Sequence, residues 1–491
     1  MKANAMGGRL LAGLLACCAV ASAQGATGGA PDRMLEGRIE GRDHQTYRSL
    51  PFEVPAGTSR ITVEFEYSGR ERKTTVDLGL AGPDGFRGWS GGNKRRFTVS
   101  ATDATPSYLP GPIAAGRWSL LLGFPNVRAS SRDSYVARIW FDDHDGPEPP
   151  LRSGAAWYRG DLHMHDAHSD GSCASQSGQR VPCPLFLTVQ KAAARGLDFI
   201  SVTDHNTVSQ ANGLREMQPY FDRLLLIPGR EITTFSGHGN LIGPVAPVDF
   251  RVGNPGVPDW NHLLRSVRNL EGVFSINHPV RPSGEVCMGC GWAPDPQVDY
   301  ALVQAVEVVN GGDADTPYSG IPFWEGLLSA GHRITAIGGS DNHDPTLQAA
   351  TPGSGEIGAP TTVVKADALS MPAILAGIRA GRVFVDVQGN GKRMLEFSAA
   401  SAGRQVGMGE ALRPAAGSEV ACEVGLQGVA GGRVEVIEDG KIVQTLPLDA
   451  ARDTQTIRFS RSADGRRHWL RVNVRGGDGR LWLVGNPVYL E

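Results

Sequence analysis

Nine of the chain's 12 histidines lie between His163 and His343, and most close a short apolar run. Asp161-Leu162-His163-Met164-His165 is the first such run. Phe199-Ile200-Ser201-Val202-Thr203-Asp204-His205 and Leu225-Leu226-Ile227-Pro228-Gly229-Arg230-Glu231 follow. The series continues with Val273-Phe274-Ser275-Ile276-Asn277-His278, Val306-Glu307-Val308-Val309-Asn310 and Ile334 to His343. Between the runs lie helical patterns such as Leu185 to Arg195 and His262 to Leu270. Apolar strands alternating with helices predict a parallel β/α sheet or barrel. In a barrel the C-terminal strand ends meet at one face, which would gather these polar residues in one mouth.

A single histidine in such a chain is more often a hydrogen-bonded structural residue than a ligand. A run of them at strand ends, interleaved with Asp170, Asp204, Glu231 and Asp341, points instead to metal binding. Alternate strand residues face one side, so His163 and His165 can reach one ion. Imidazole and carboxylate donors suit zinc, iron or manganese. Glu231 could bridge two ions, and Asp204 is expected to orient a ligand imidazole. His262 and His332 fall in helix-like stretches, where structural roles are expected.

The motifs resemble those of the PHP family, the polymerase and histidinol phosphatase metal-dependent hydrolases. Asp161 to Gly171 is similar to the family's first motif and Thr203-Asp204-His205-Asn206 to its second. Pro228-Gly229-Arg230-Glu231 with His238 is similar to the third, and Gly339-Ser340-Asp341-Asn342-His343 to the fourth. Asn277-His278-Pro279 matches a further family histidine. The resemblance covers residues 155–390 and is greatest to the exported CehA/McbA-like branch. It implies an irregular seven-stranded β/α barrel holding two or three divalent ions. One ion would take His163, His165, Glu231 and Asp341. A second would share Glu231 and add His238 and His278, and a third would take His205 and His343. Many relatives complete the third site with a histidine where Gly171 stands, and Asp170 could serve instead. His168 either lines the pocket or fixes its loop. Arg281 could hold an anionic group or form a surface ion pair, and Asn310 could orient water or substrate.

The flanks read differently. Residues 31–150 show strand alternation in Arg60 to Tyr67, Trp118 to Phe124 and Tyr135 to Phe141, then a Pro-rich linker over Asp142 to Pro150. Residues 393–491 repeat the theme, with a hairpin signal at Glu438-Asp439-Gly440. Two β-sandwich-like domains flanking the α/β barrel are expected. Lys2, Arg9, the apolar run Leu10 to Val20 and Ala21-Ser22-Ala23 form an export signal cleaved near Ala23. That places the protein in the periplasm or outside the cell. A lipoprotein signal ending at Cys17 is the alternative. No later run is long enough to span a membrane. Cys173/Cys183 and Cys287/Cys290 could close two loops, cross-pairing is equally allowed, and a structural zinc on the four is a weaker option. Cys422 is expected to be lone and buried.

A formal net charge of -3 gives no case for a nucleic-acid partner. The expected function is hydrolysis of a phosphate ester, on a small-molecule or phosphorylated substrate. Carboxylic ester, carbamate or amide hydrolysis by the same ions is the alternative. A binding or scaffold protein that has lost catalysis is the third.

Overall fold

The computed structural model describes residues 29–144, 146, 148–285, 287–346 and 354–491. The export signal read over 1–23 lies outside the described residues. No helix among them is long and apolar enough to cross a membrane. The architecture is mostly β and multi-domain, with mixed sheets and few helices.

Near the N-terminus, strands Arg33–Glu40, Arg132–Phe141, Arg60–Tyr67 and Arg96–Ser100 form one antiparallel sheet. Thr46–Val54, Gly116–Asn126, Thr75–Gly82 and Gly85–Gly91 form another. The alternation of Arg60–Tyr67 turns Ile61, Val63 and Phe65 into a core shared with Trp118, Leu120 and Leu122. This unit meets the central region through Asn212, which accepts from the backbone N–H of Ala104 and donates to the carbonyl of Thr102.

The central sheet runs in the order Thr335–Gly339, Ala305–Asn310, Val273–Ile276, Gly237–Ile242, Leu225–Thr234, Phe199–Val202, Arg152–Asp161, Thr361–Leu369, Val383–Asp386. It is mixed rather than all parallel. Leu225–Thr234 folds back on Gly237–Ile242 as a hairpin, and Gly237–Ile242 also pairs antiparallel with Val273–Ile276. The strand Gly237–Ile242 interrupts the β/α alternation because two residues, Phe235 and Ser236, join it to its predecessor, too few for a crossover helix. Helices Leu185–Ala194 and Trp260–Val267 lie where the apolar periodicity places them. Asp259 caps the second by accepting from the backbone N–H of His262.

Buried Asp161 ties the ends of two non-adjacent strands together. Its carboxylate accepts from the backbone N–H groups of His163, Ser340 and Gly358. Beyond it, Met164 bridges Asn342 in parallel, with His165 N–H donating to the Asn342 carbonyl and Asp341 N–H to the His163 carbonyl. The first and fourth motifs are thus held side by side by backbone bonds.

The C-terminal strands divide. Arg404–Gly407, Met394–Ser401, Glu419–Gln427 and Thr454–Ser462 form their own sheet. Leu481–Gly485 instead pairs with Val383–Asp386, so the central sheet continues through it into His468–Arg475, Arg433–Glu438 and Lys441–Pro447. Val363 and Phe384 of the central region share one core with Leu395, Val424 and Val472. The hairpin at Glu438-Asp439-Gly440 forms, with positive φ at Asp439 and Gly440 as a primed turn requires. The cysteines pair locally, Cys173 with Cys183 and Cys287 with Cys290, which leaves none of the four sulfurs to a structural zinc. Cys422 is free and buried.

Candidate metal centre

The strand ends deliver their polar residues to one buried place. His163 and His165 are fully buried, and each Nε2 lies 3.5 Å from Glu231 Oε2. Asp341 Oδ1 is 3.2 Å from His163 Nε2 and 3.3 Å from His165 Nε2. On the other side of Glu231, Oε1 is 3.4 Å from both His238 Nδ1 and His278 Nε2. Asp170 Oδ1, 3.3 Å from His343 Nε2 and 3.6 Å from His205 Nε2, forms a third group nearer solvent. The donor atoms of His163, His165 and Asp341 stand close enough to share one ion, as do those of His163, Glu231 and His278 and those of His165, Asp170, His205 and His343.

The nitrogen atoms facing inward are selected from behind. His163 Nδ1 donates to Glu307 Oε1 at 3.0 Å, and His278 Nδ1 donates to the carbonyl of Cys290 at 3.1 Å. His238 Nε2 donates to the carbonyl of Met288 at 3.2 Å. Carboxylate and carbonyl oxygens only accept, so each outer nitrogen carries a proton and the inner nitrogen is the one turned towards the carboxylates. The Nε2 atoms of His163 and His165 are buried without any hydrogen-bond partner. A buried, unpaired imidazole nitrogen is costly unless something else satisfies it. A cation fits there: two buried imidazole nitrogens without a hydrogen-bond partner converge with the carboxylate oxygens of Glu231 and Asp341.

Glycine makes two of these placements possible. A Cβ at Gly171 would collide with the backbone of His165 and Asp166, so no side chain can stand there, and Asp170 supplies the third group's carboxylate. A Cβ at Gly339 would collide with the Glu307 carboxylate and the His163 Cβ. Three residues of the motifs, Asn206, His278 and Asp341, have positive φ, a conformation that costs free energy and that functional sites often store.

The charges are tightly interlocked. Burial would raise Glu231, yet His163 and His205 hold it well below the usual carboxylate range. Burial opposes charge on His205, but Glu231 and Asp170 carry it up to about 10. Burial and the neighbouring His343 push His165 down to about 4, so it is neutral and free to donate a lone pair. Burial, reinforced by Asp204, lifts Asp166 to about 7.

His168 and Arg281 stand apart from these groups. His168 is exposed, with Nδ1 2.6 Å from the Ser209 hydroxyl. Arg281 forms an ion pair with Asp313 and donates to Asn310 Oδ1 at 2.9 Å; Asn310 Nδ2 in turn reaches Glu307 at 2.9 Å and Asp341 at 3.3 Å. Asp204 accepts from the Asp166 N–H and from the Ser169 hydroxyl. His262 and His332 belong to none of the groups. Sequence reasoning missed Glu307, and it missed Asn277 as a partner of Glu231, to whose Oε1 it donates at 2.9 Å. A carboxylate inside an otherwise apolar strand run was the available signal for Glu307.

No family model matches the chain, and no curated protein matches it. Two solved structures are similar in part. A two-domain protein from Bacteroides vulgatus, named for a PHP-like metal-dependent phosphoesterase, aligns over 69% of this chain and 98% of its own. The identity is 18% and the TM-score 0.37. A protein from Bifidobacterium adolescentis, named as a metal-dependent phosphoesterase, aligns over 38% of this chain and 87% of its own, with 16% identity and a TM-score of 0.27.

Proposed function

We propose that the chain is an exported metal-dependent phosphoesterase of PHP type. Its catalytic barrel would span residues 155–390, between β domains at 31–150 and 393–491. The seven neighbouring strands from Arg152–Asp161 to Thr335–Gly339 would form its wall, and the Met164–Asn342 bridge between the chain segments beyond the two outermost supports that reading. One observation carries the reading: two buried, unpartnered histidine nitrogens converge on the carboxylates of Asp341 and Glu231.

Zinc, manganese or iron is the expected ion. His163, His165, Glu231 and Asp341 hold one. Glu231, His238 and His278 hold a second, and Asp170, His205 and His343 a third. Such ions, when bound, supply Lewis-acid polarisation of a phosphoryl oxygen and acidify water. The chain's own part is to position and to manage protons. Glu307, Met288 and Cys290 accept from the outer imidazole nitrogens, which turns the inner ones towards the place an ion would occupy. Asn277 and Asn310 hold the Glu231 and Asp341 carboxylates in place. Arg281, paired with Asp313, would act by holding Asn310 against Glu307 and Asp341, and His168 sits on the exposed loop where a leaving group could be protonated.

The test is metal content with a substrate panel. Metal-loaded mature protein should cleave phosphomonoesters or phosphodiesters; Asp341→Asn should lose the first ion, Glu231→Gln the first two, and both variants should lose turnover. Turnover of aryl carboxylic esters or carbamates alone would replace the phosphoester assignment. Binding of less than about one ion per chain after loading would favour a scaffold protein and overturn the proposal.

A further inference from the structure

The Cys287–Cys290 disulfide closes a short loop beside the second group of donors. Two of that loop's carbonyls touch the site. Met288 O takes the proton side of His238, and Cys290 O takes the proton side of His278. The same two imidazoles then present Nδ1 and Nε2, respectively, to Glu231 Oε1, each at 3.4 Å. One ring uses Nδ1 and the other Nε2, so the two orientations cannot be swapped without moving the loop. The loop is anchored on both flanks. Gly284 and Cys287 exchange backbone bonds, Trp292 N–H donates to the Pro279 carbonyl, and Ala293 N–H donates to the Ser236 carbonyl. Between these anchors the disulfide is the covalent tie that spans Met288 and ends on Cys290, the two residues whose carbonyls do the orienting.

We infer that the Cys287–Cys290 disulfide is a positioning element for divalent-cation binding at the Glu231–His238–His278 group. It holds the Met288 and Cys290 carbonyls where they fix the ring orientations of His238 and His278. This inference rests on the metal-centre reading above. A disulfide serving only to staple the loop would change stability without changing ion affinity. Partners that orient ligand imidazoles usually change metal affinity by about 10–100-fold.

The experiment titrates Zn2+ against a competing chelator in the wild-type chain and in Cys287→Ser/Cys290→Ser. The serine pair should bind one class of ion at least tenfold more weakly, and the His163–His165–Asp341 ion should be unchanged and so report an intact fold. If the serine pair loses its thermal transition, the bridge is opened instead in folded wild-type protein. A phosphine reductant followed by iodoacetamide does this and also removes the thiolates as ligands. Peptide mapping should find both Cys287 and Cys290 capped and the fully buried Cys173 and Cys183 uncapped. Equal stoichiometry and affinity with the bridge open would overturn the inference alone. Failure of the wild-type chain to bind Zn2+ would overturn the metal-centre reading, and the inference with it.

Discussion

Glu307 Oε1 lies 3.0 Å from His163 Nδ1, with both side chains buried and the Glu307 carboxylate also accepting from the His278 backbone N–H at 3.1 Å. The carboxylate therefore determines which nitrogen of His163 faces Asp341 and makes that nitrogen more basic. Glu307→Ala should weaken binding of the first ion by about 10–100-fold. Glu307→Gln, which keeps an acceptor oxygen and loses only charge, should fall between it and wild type. Chelator competition reads both, and an unchanged affinity in Glu307→Ala would mean that His163 is oriented by packing alone.

Ion binding should depend on pH over an unusual range. In the ion-free chain His205 keeps its proton to about pH 10 because Glu231 and Asp170 outweigh the effect of its burial. An ordinary imidazole would already be deprotonated above about 6.5. An ion that takes His205 must displace that proton, so affinity should keep rising from neutral pH towards 10 and then level off. Zn2+ added at pH 8 in a weakly buffered indicator solution should release protons, with about one fewer per chain in His205→Gln. Equal release by the two proteins would remove His205 from the ligand set.

Much of the cluster could be read from the chain, because its histidines and carboxylates sit at the ends of apolar strands and strand period fixes which residues share a side. His163 and His165 are the plain case. Glu307 was hidden for a physical reason: it lies within Ala305–Asn310, where the pairing with Thr335–Gly339 slips between Glu307 and Val309, so simple alternation gives no face for it. The carbonyls of Met288 and Cys290 leave no trace in residue identity, since any residue carries one. Near the C-terminus the hairpin strands Arg433–Glu438 and Lys441–Pro447 were legible, whereas Met394–Ser401, Glu419–Gln427 and Thr454–Ser462 were not read. The partner of Leu481–Gly485 was not legible: nothing in its apolar pattern names Val383–Asp386 as its neighbour.

Cys422 should be chemically silent in the folded chain. It lies in Glu419–Gln427 among Val420, Val424 and Leu426, and burial pushes its thiol up to about 12. The thiolate is the nucleophile, so little is present at pH 8 and reagent has no access. Iodoacetamide at pH 8 should leave Cys422 unmodified in native protein and alkylate it fully in denaturant, as read by peptide mass. Rapid native labelling would show that the sheet Met394–Ser401, Glu419–Gln427, Thr454–Ser462 opens readily.

Arg471 and Glu325 should couple the stability of the C-terminal strands to that of the central region. Arg471, on His468–Arg475, is almost fully buried; its guanidinium pairs with Glu325 of the helix Ile321–Ser329, donates to Asn473 Oδ1 at 2.6 Å and lies 5.2 Å from the Trp324 ring. Removing one partner of such a pair leaves an uncompensated charge out of water, which costs far more than the pair itself contributes. Glu325→Ala should therefore lower unfolding stability by about 3–5 kcal/mol. Replacing both partners, as in Glu325→Leu/Arg471→Met, should recover much of that loss. Ile437, Trp469, Leu481 and Val484 also share one core with Trp260, Phe274 and Trp324, so no apolar boundary separates the two regions. Denaturant unfolding followed by tryptophan fluorescence and by far-UV circular dichroism should give coincident transitions in wild type. Two separated transitions, or a Glu325→Ala chain as stable as wild type, would mean that this pair does not join the regions.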